Sequence, residues 1–190
     1  IAVNFTSVTL DYSTRPFSEN VEALKYVTNL AHPGGITVEG ELGAIGRADN
    51  ITDESCDDSS LTNPEDAHTY VDDTKVDALA ISIGNAHGIY KRLPRINFSL
   101  LGESHRAVDI PLVLHGGSGT PEKDLKKTIS LGIAKVNVAS ELINSVRSSL
   151  LDQWNNGINP WVPSAMVNAM KSMAKAVEKW ILYTSSEGKA

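Results

Sequence analysis

The sequence predicts an α/β fold of parallel βα units, and two observations carry that reading. Short apolar runs alternate with stretches of helical period, and the polar residues able to do chemistry follow the apolar runs instead of scattering among them. Strands buried on both faces read as near-continuous apolar runs, and strand–helix alternation makes neighbouring strands parallel. A barrel and an open doubly wound sheet both satisfy the pattern.

The first run, Thr6 to Leu10, ends at Asp11, and Val21, Leu24, Val27 and Leu30 then recur at helical spacing. Pro33-Gly34-Gly35 turns the chain into a second run, Ile36 to Glu41. Arg47 to Leu61 is polar, aperiodic and read as a loop. Thr62, Pro64 and Glu65 have the spacing of a capped helix start at Thr62. Asp77 to Gly84 is the third run; Ile110 to His115, after a helix around Phe98 to Ala107, is the fourth. Thr120-Pro121 opens a helix that Gly132 closes, and Ala134 to Val138 is the fifth run. Leu142, Val146 and Leu150 mark the helix that follows. After Pro163, the residues Met166, Met170, Met173, Val177 and Ile181 form one helical stripe, a packing surface against the barrel or a partner subunit. Residues 1–190 are thus read as a single domain, with five βα units in 1–150 and a terminal helical segment in 160–190.

Composition narrows the class. With 190 residues, 41% hydrophobic and 21% charged, the chain is a globular domain with room for a core. A net charge of −6 argues against a nucleic-acid partner, but not against a small phosphorylated ligand held by local groups. One cysteine, Cys56, excludes a disulfide framework and points to a reducing compartment, hence the cytoplasm. No apolar run has the roughly 20 residues of a membrane span. The chain starts at Ile1, just ahead of a strand-like run, and the expectation is that an N-terminal part is missing.

In parallel α/β folds the site lies at the C-terminal ends of the strands. There the sequence places Asp11; Glu39 and Glu41; Gly84-Asn85-Ala86-His87-Gly88; His115-Gly116-Gly117-Ser118-Gly119; and Asn137-Val138-Ala139-Ser140. Of the five histidines, His32, His68 and His105 read as surface or cap residues. His87 and His115 follow apolar runs in consecutive βα units and are each followed by glycine, which suits zinc ligands at one mouth. Two ligands are one short of a catalytic set; Glu41 or a histidine from outside the chain would complete it. The Gly116–Gly119 turn and the Asn137–Ser140 turn each precede a helix, where free N–H groups favour a phosphate.

Three late motifs, Gly84-Asn85-Ala86-His87-Gly88-Ile89-Tyr90, Leu114-His115-Gly116-Gly117-Ser118-Gly119 and Lys135-Val136-Asn137-Val138-Ala139-Ser140-Glu141-Leu142, resemble those of class II fructose- and tagatose-bisphosphate aldolases. Val38 to Gly43, Asp11 to Val21 and the closing Glu187 to Ala190 are similar to other family segments, in order. The resemblance implies a (β/α)₈ TIM barrel of which the five runs are strands four to eight. It implies Zn²⁺, with room for a monovalent cation, and His87 and His115 as two of three metal ligands. Gly88, Gly116, Gly117, Ser118, Asn137, Val138, Ala139 and Ser140 would line the phosphate and keto end of the substrate. Glu41 would face the metal region, and Asp49 would be a second supporting carboxylate. The principal base, an Asp of an Asp-His pair on the third strand, is expected upstream of Ile1. Where the family's mobile loop reads Gly-Gly-x-Glu-Asp, this chain has Gly46-Arg47-Ala48-Asp49-Asn50, and Ser140 replaces a Thr.

The implied reaction is reversible cleavage of a ketose 1,6-bisphosphate, fructose or tagatose, into dihydroxyacetone phosphate and glyceraldehyde 3-phosphate. The implied state is a homo-oligomer, dimer or tetramer, in the cytoplasm, with no nucleic-acid or membrane partner. A Schiff-base route would need a desolvated lysine; Lys135 is read as lying at the beginning of its strand, the wrong end. A non-catalytic fragment lacking the Asp-His motif is the alternative.

Overall fold

The computed structural model describes residues 4–46, 60–88, 93–157 and 161–189. Its sheet has five parallel strands in sequence order: β1 (Ser7–Leu10), β2 (Thr37–Leu42), β3 (Ala78–Ile81), β4 (Leu112–Leu114) and β5 (Ile133–Val136). The crossovers are α1 (Phe17–Ala31), α2 (Pro64–Thr74), α3 (Phe98–Ala107) and α4 (Glu122–Ser130), followed by α5 (Ser140–Asn155) and α6 (Val162–Tyr183). Each strand pairs with the next in sequence, so the order never reverses as it does in a doubly wound sheet. That is the order of consecutive staves in a barrel wall, and the open-sheet alternative falls away.

The two faces of the sheet differ in chemistry. One face carries Val38, Leu79, Ile81, Leu112, Leu114 and Ile133, which form the core with Leu24, Tyr70, Leu101 and Leu125 from the helices. Gly40 lies on this face because a Cβ there would come within 2.8 Å of the Tyr70 hydroxyl. The alternation of a strand sends the other residues to the opposite face. Glu41, Ala80, Val113 and Lys135 stand level across β2 to β5, with Glu39 level with Ala78. Between Leu112 and Val113 the register with β5 slips by one residue, a bulge at Ala134 that brings Lys135 level with Val113. Small alanines on β3 face the space across which Glu39 and Glu41 of β2, His115 just after β4 and Lys135 of β5 meet.

Two sequence expectations are corrected. The α2 cap is Asn63, whose side chain accepts from the Glu65 and Asp66 N–H groups. Thr62 is instead a buried clasp that donates to the Leu42 carbonyl and accepts from the Ser82 N–H. Of the two surfaces the α6 stripe was expected to meet, the barrel is the one set aside, since Met166, Met170, Met173, Val177 and Ile181 are exposed while Ala165, Ala169 and Trp180 form the buried side of that helix; the partner subunit stands as the other. Among the described residues no helix is long and apolar enough to cross a membrane.

Candidate functional site

The polar face converges on His115. This residue directly follows β4 and is buried. Its Nε2 lies 2.9 Å from Glu39 Oε1 and its Nδ1 lies 2.8 Å from Glu41 Oε2. Burial alone would lower the imidazole pKa, but the hydrogen bonds and charges of the two carboxylates prevail and raise it to about 9. Glu39 shows the mirror image. Burial pushes its pKa up, yet the bonds from His115 and Lys135 outweigh that and hold it below the usual carboxylate range.

His87 approaches from the β3–α3 connection. Its ring centre is 5.9 Å from that of His115, and its backbone N–H donates to the Gly46 carbonyl at 2.8 Å. Asn85 joins the two histidine loops: its amide donates to the His115 carbonyl at 2.8 Å, and its oxygen accepts from the Ile83 N–H. Gly116 permits their close approach, since a Cβ there would come within 2.1 Å of the Ala86 carbonyl oxygen. Glu41, His87 and His115 each offer a ligand atom, all within 4.8 Å of one another. Two imidazoles and a carboxylate make a zinc donor set, so the residues present fit that ion.

Glu41, His87 and His115 line a cleft of about 600 Å³ together with Asp11, Gly88, Gly116, Ser118, Val136, Asn137, Val138, Ala139 and Ser140. The N-terminus of α5 lines the same cleft through Ala139 and Ser140, and Ser118 Oγ accepts from the Glu141 N–H at 3.1 Å. Unpaired N–H groups at a helix start attract an anion. The predicted residues therefore come together, with Gly117 and Asp49 as the two exceptions. Gly117 does not line the cleft; it is buried and donates its N–H to the Asn137 carbonyl at 3.0 Å. Asp49 and Arg47 lie outside the described residues.

Lys135 is also corrected. It is the third of the four residues of β5, and its Nζ lies 2.9 Å from Glu39 Oε2 and 2.7 Å from Asn137 Oδ1. An ammonium flanked by a carboxylate and an amide oxygen is not the desolvated amine that Schiff-base chemistry needs. Sequence reasoning gave no role to Glu39, Lys135 or Asn85. The signal was present in Glu39 and Glu41, two carboxylates at a spacing of two on an apolar strand, which must share a face. His32, His68 and His105 are exposed, as expected; His32 pairs with Asp77 and His68 meets the Ala107 carbonyl.

Residues 1–189 match the family model for class II fructose-bisphosphate aldolases. The crystal structure of the YdjI aldolase from Escherichia coli superposes with a TM-score of 0.85 at 32% identity, covering 100% of this chain and 64% of that one. A fructose-bisphosphate aldolase from Campylobacter jejuni gives 0.76 at 24% identity, covering 95% of this chain and 61% of that one, and speaks for the fold alone. The chain thus spans about 64% of the length of the first solved structure, with five strands of a barrel wall.

Proposed function

Because the chain belongs to the class II fructose-bisphosphate aldolase family, we propose that it forms the metal and phosphate side of a zinc-dependent aldolase. The reaction would be the reversible cleavage of a ketose 1,6-bisphosphate, fructose or tagatose, into two triose phosphates. The observation that carries this reading is the convergence of Glu41, His87 and His115 in a cleft that a helix N-terminus also lines.

The division of labour follows from the geometry. A bound zinc would supply Lewis-acid stabilisation of the charge that develops on the ketone oxygen during cleavage. His87, His115 and Glu41 would hold that ion. The α5 N-terminus and the turns at Gly116–Gly119 and Asn137–Ser140 would hold the phosphate nearest the ketone, with Ser118, Ala139 and Ser140 at the anion. Fixing the substrate at both points removes the orientational cost from the chemical step. Glu41, and Asp49 on the loop, are the supporting carboxylates for proton movement.

The test is an assay of the full-length protein with fructose 1,6-bisphosphate and with tagatose 1,6-bisphosphate. Triose phosphate release should stop on chelation and return with Zn²⁺, and borohydride with substrate should leave the enzyme unmodified. Chelator-resistant cleavage with borohydride trapping on a lysine would overturn the reading.

A further inference from the structure

We propose that Glu39 and Lys135 are positioning residues for His115: Glu39 fixes the ring through Nε2, so that Nδ1 is the atom offered to a metal ion, and Lys135 holds Glu39 in that pose. The assignment rests on reading Glu41, His87 and His115 as a metal site.

Glu39 and Glu41 share a strand face but sit on opposite sides of the His115 ring. Both are buried, but Glu41 lines the cleft and belongs to the donor cluster, whereas Glu39 does neither. Both oxygens of Glu39 already have partners, His115 Nε2 at 2.9 Å and Lys135 Nζ at 2.9 Å. The nitrogen facing Glu39 is therefore taken up by that carboxylate, and Nδ1, 2.8 Å from Glu41, is the one on the cluster's side. A carboxylate that accepts from the distal N–H of a ligating imidazole fixes its tautomer and orientation and makes the ligand more basic.

Lys135 supplies what that arrangement requires. A buried carboxylate is costly without a counter-charge. The β5 bulge brings Lys135 level with Val113, on the face from which it reaches Glu39, and Asn137 Oδ1 at 2.7 Å holds the far side of its ammonium. With Glu39 uncharged, the ring would lose its strong acceptor. With Lys135 uncharged, Glu39 would gain by turning toward water.

The experiment compares the full-length protein with its Glu39→Gln, Lys135→Met and Lys135→Arg variants. Zinc affinity is read by chelator competition, and ligand geometry by the visible absorption of the Co²⁺ form. Glu39→Gln should melt cooperatively, bind zinc about 10–100-fold more weakly and shift the Co²⁺ bands. Lys135→Met should show the same spectral shift with a smaller loss of affinity, and Lys135→Arg should restore both. A folded Glu39→Gln or Lys135→Met protein with unchanged affinity and spectrum would overturn the proposal. Should Glu39→Gln not fold, Lys135→Met decides, because that side chain is half exposed on an edge strand. Failure of the unaltered protein to bind Zn²⁺ or Co²⁺ would instead sink the metal-site reading itself.

Discussion

His115 is where charge and burial compete, with metal binding as the proposed third party, and the competition has a pH signature. Without metal its pKa stands near 9, above the ordinary 6.5, so the folded state holds the proton more tightly than the unfolded chain. That stabilisation is fully present below about pH 6.5 and is lost as pH rises through about 9. Glu39, with its pKa lowered, contributes in the opposite sense: its share is present above the ordinary 4.5 and is lost as pH falls below it. Zinc takes a neutral imidazole, so an ion bound at the proposed site would displace the His115 proton. Metal-free protein should therefore melt at a lower temperature at pH 9.5 than at pH 6.5, while the rise in melting temperature on adding zinc grows over the same interval. An equal zinc increment at both pH values would contradict this coupling. Gly116 offers a second test at this scale. Gly35 and Gly116 share a φ of +66°, but a Cβ at Gly35 meets nothing within 4 Å, whereas at Gly116 it strikes the Ala86 carbonyl. Gly35→Ala should cost the ~1–2 kcal/mol of a left-handed alanine. Gly116→Ala should cost more and should also weaken zinc binding, because it pushes apart the loops that carry His87 and His115. Denaturant titrations of the two variants would separate the effects, and equal losses would refute the packing argument.

At the scale of elements, the β2–α2 junction shows what the sequence displayed and what it hid. Thr62, Pro64 and Glu65 announced a helix start, and a helix does start there. Spacing alone could not tell that Asn63 rather than Thr62 points its oxygen at the first N–H groups, since both side chains are competent caps. The choice is tertiary: Thr62 is drawn inward by the Leu42 carbonyl and the Ser82 N–H, which join the ends of β2 and β3. Asn63→Ala should lower stability by about 1 kcal/mol, as an exposed cap does. Thr62→Val should cost more, about 1–3 kcal/mol, because it strands a buried N–H and a buried carbonyl. A reversed order in thermal melts would restore Thr62 as the cap. The strands were legible because apolar runs and the polar residues after them are local features. The inward group was not, because the meeting of Glu39, His115 and Lys135 depends on register across three strand pairs and on the bulge at Ala134.

At the scale of the whole molecule, the five-stranded sheet has two outer strands, each hydrogen-bonded on one side only among the described residues. The polar face of the sheet carries Glu39, Glu41, His115 and Lys135 around small alanines, so it is not where apolar surface stands open. The exposed apolar surface lies instead along α6 and at isolated positions such as Phe5 and Trp161, 65% and 68% exposed. On α6, Met166, Met170, Met173, Val177 and Ile181 recur at helical spacing and stand open, a contiguous stripe of the kind that marks an association surface. Unpaired strand edges add backbone donors and acceptors able to template a further strand. Residues 1–190 expressed alone should therefore self-associate, and should do so less when Met170 and Val177 are both replaced by Lys. Sedimentation velocity with and without the double substitution distinguishes the sources. Loss of association would locate it on α6, whereas association that persists would locate it on the open edges of β1 and β5. A monodisperse monomer of the unaltered chain at micromolar concentration would refute both.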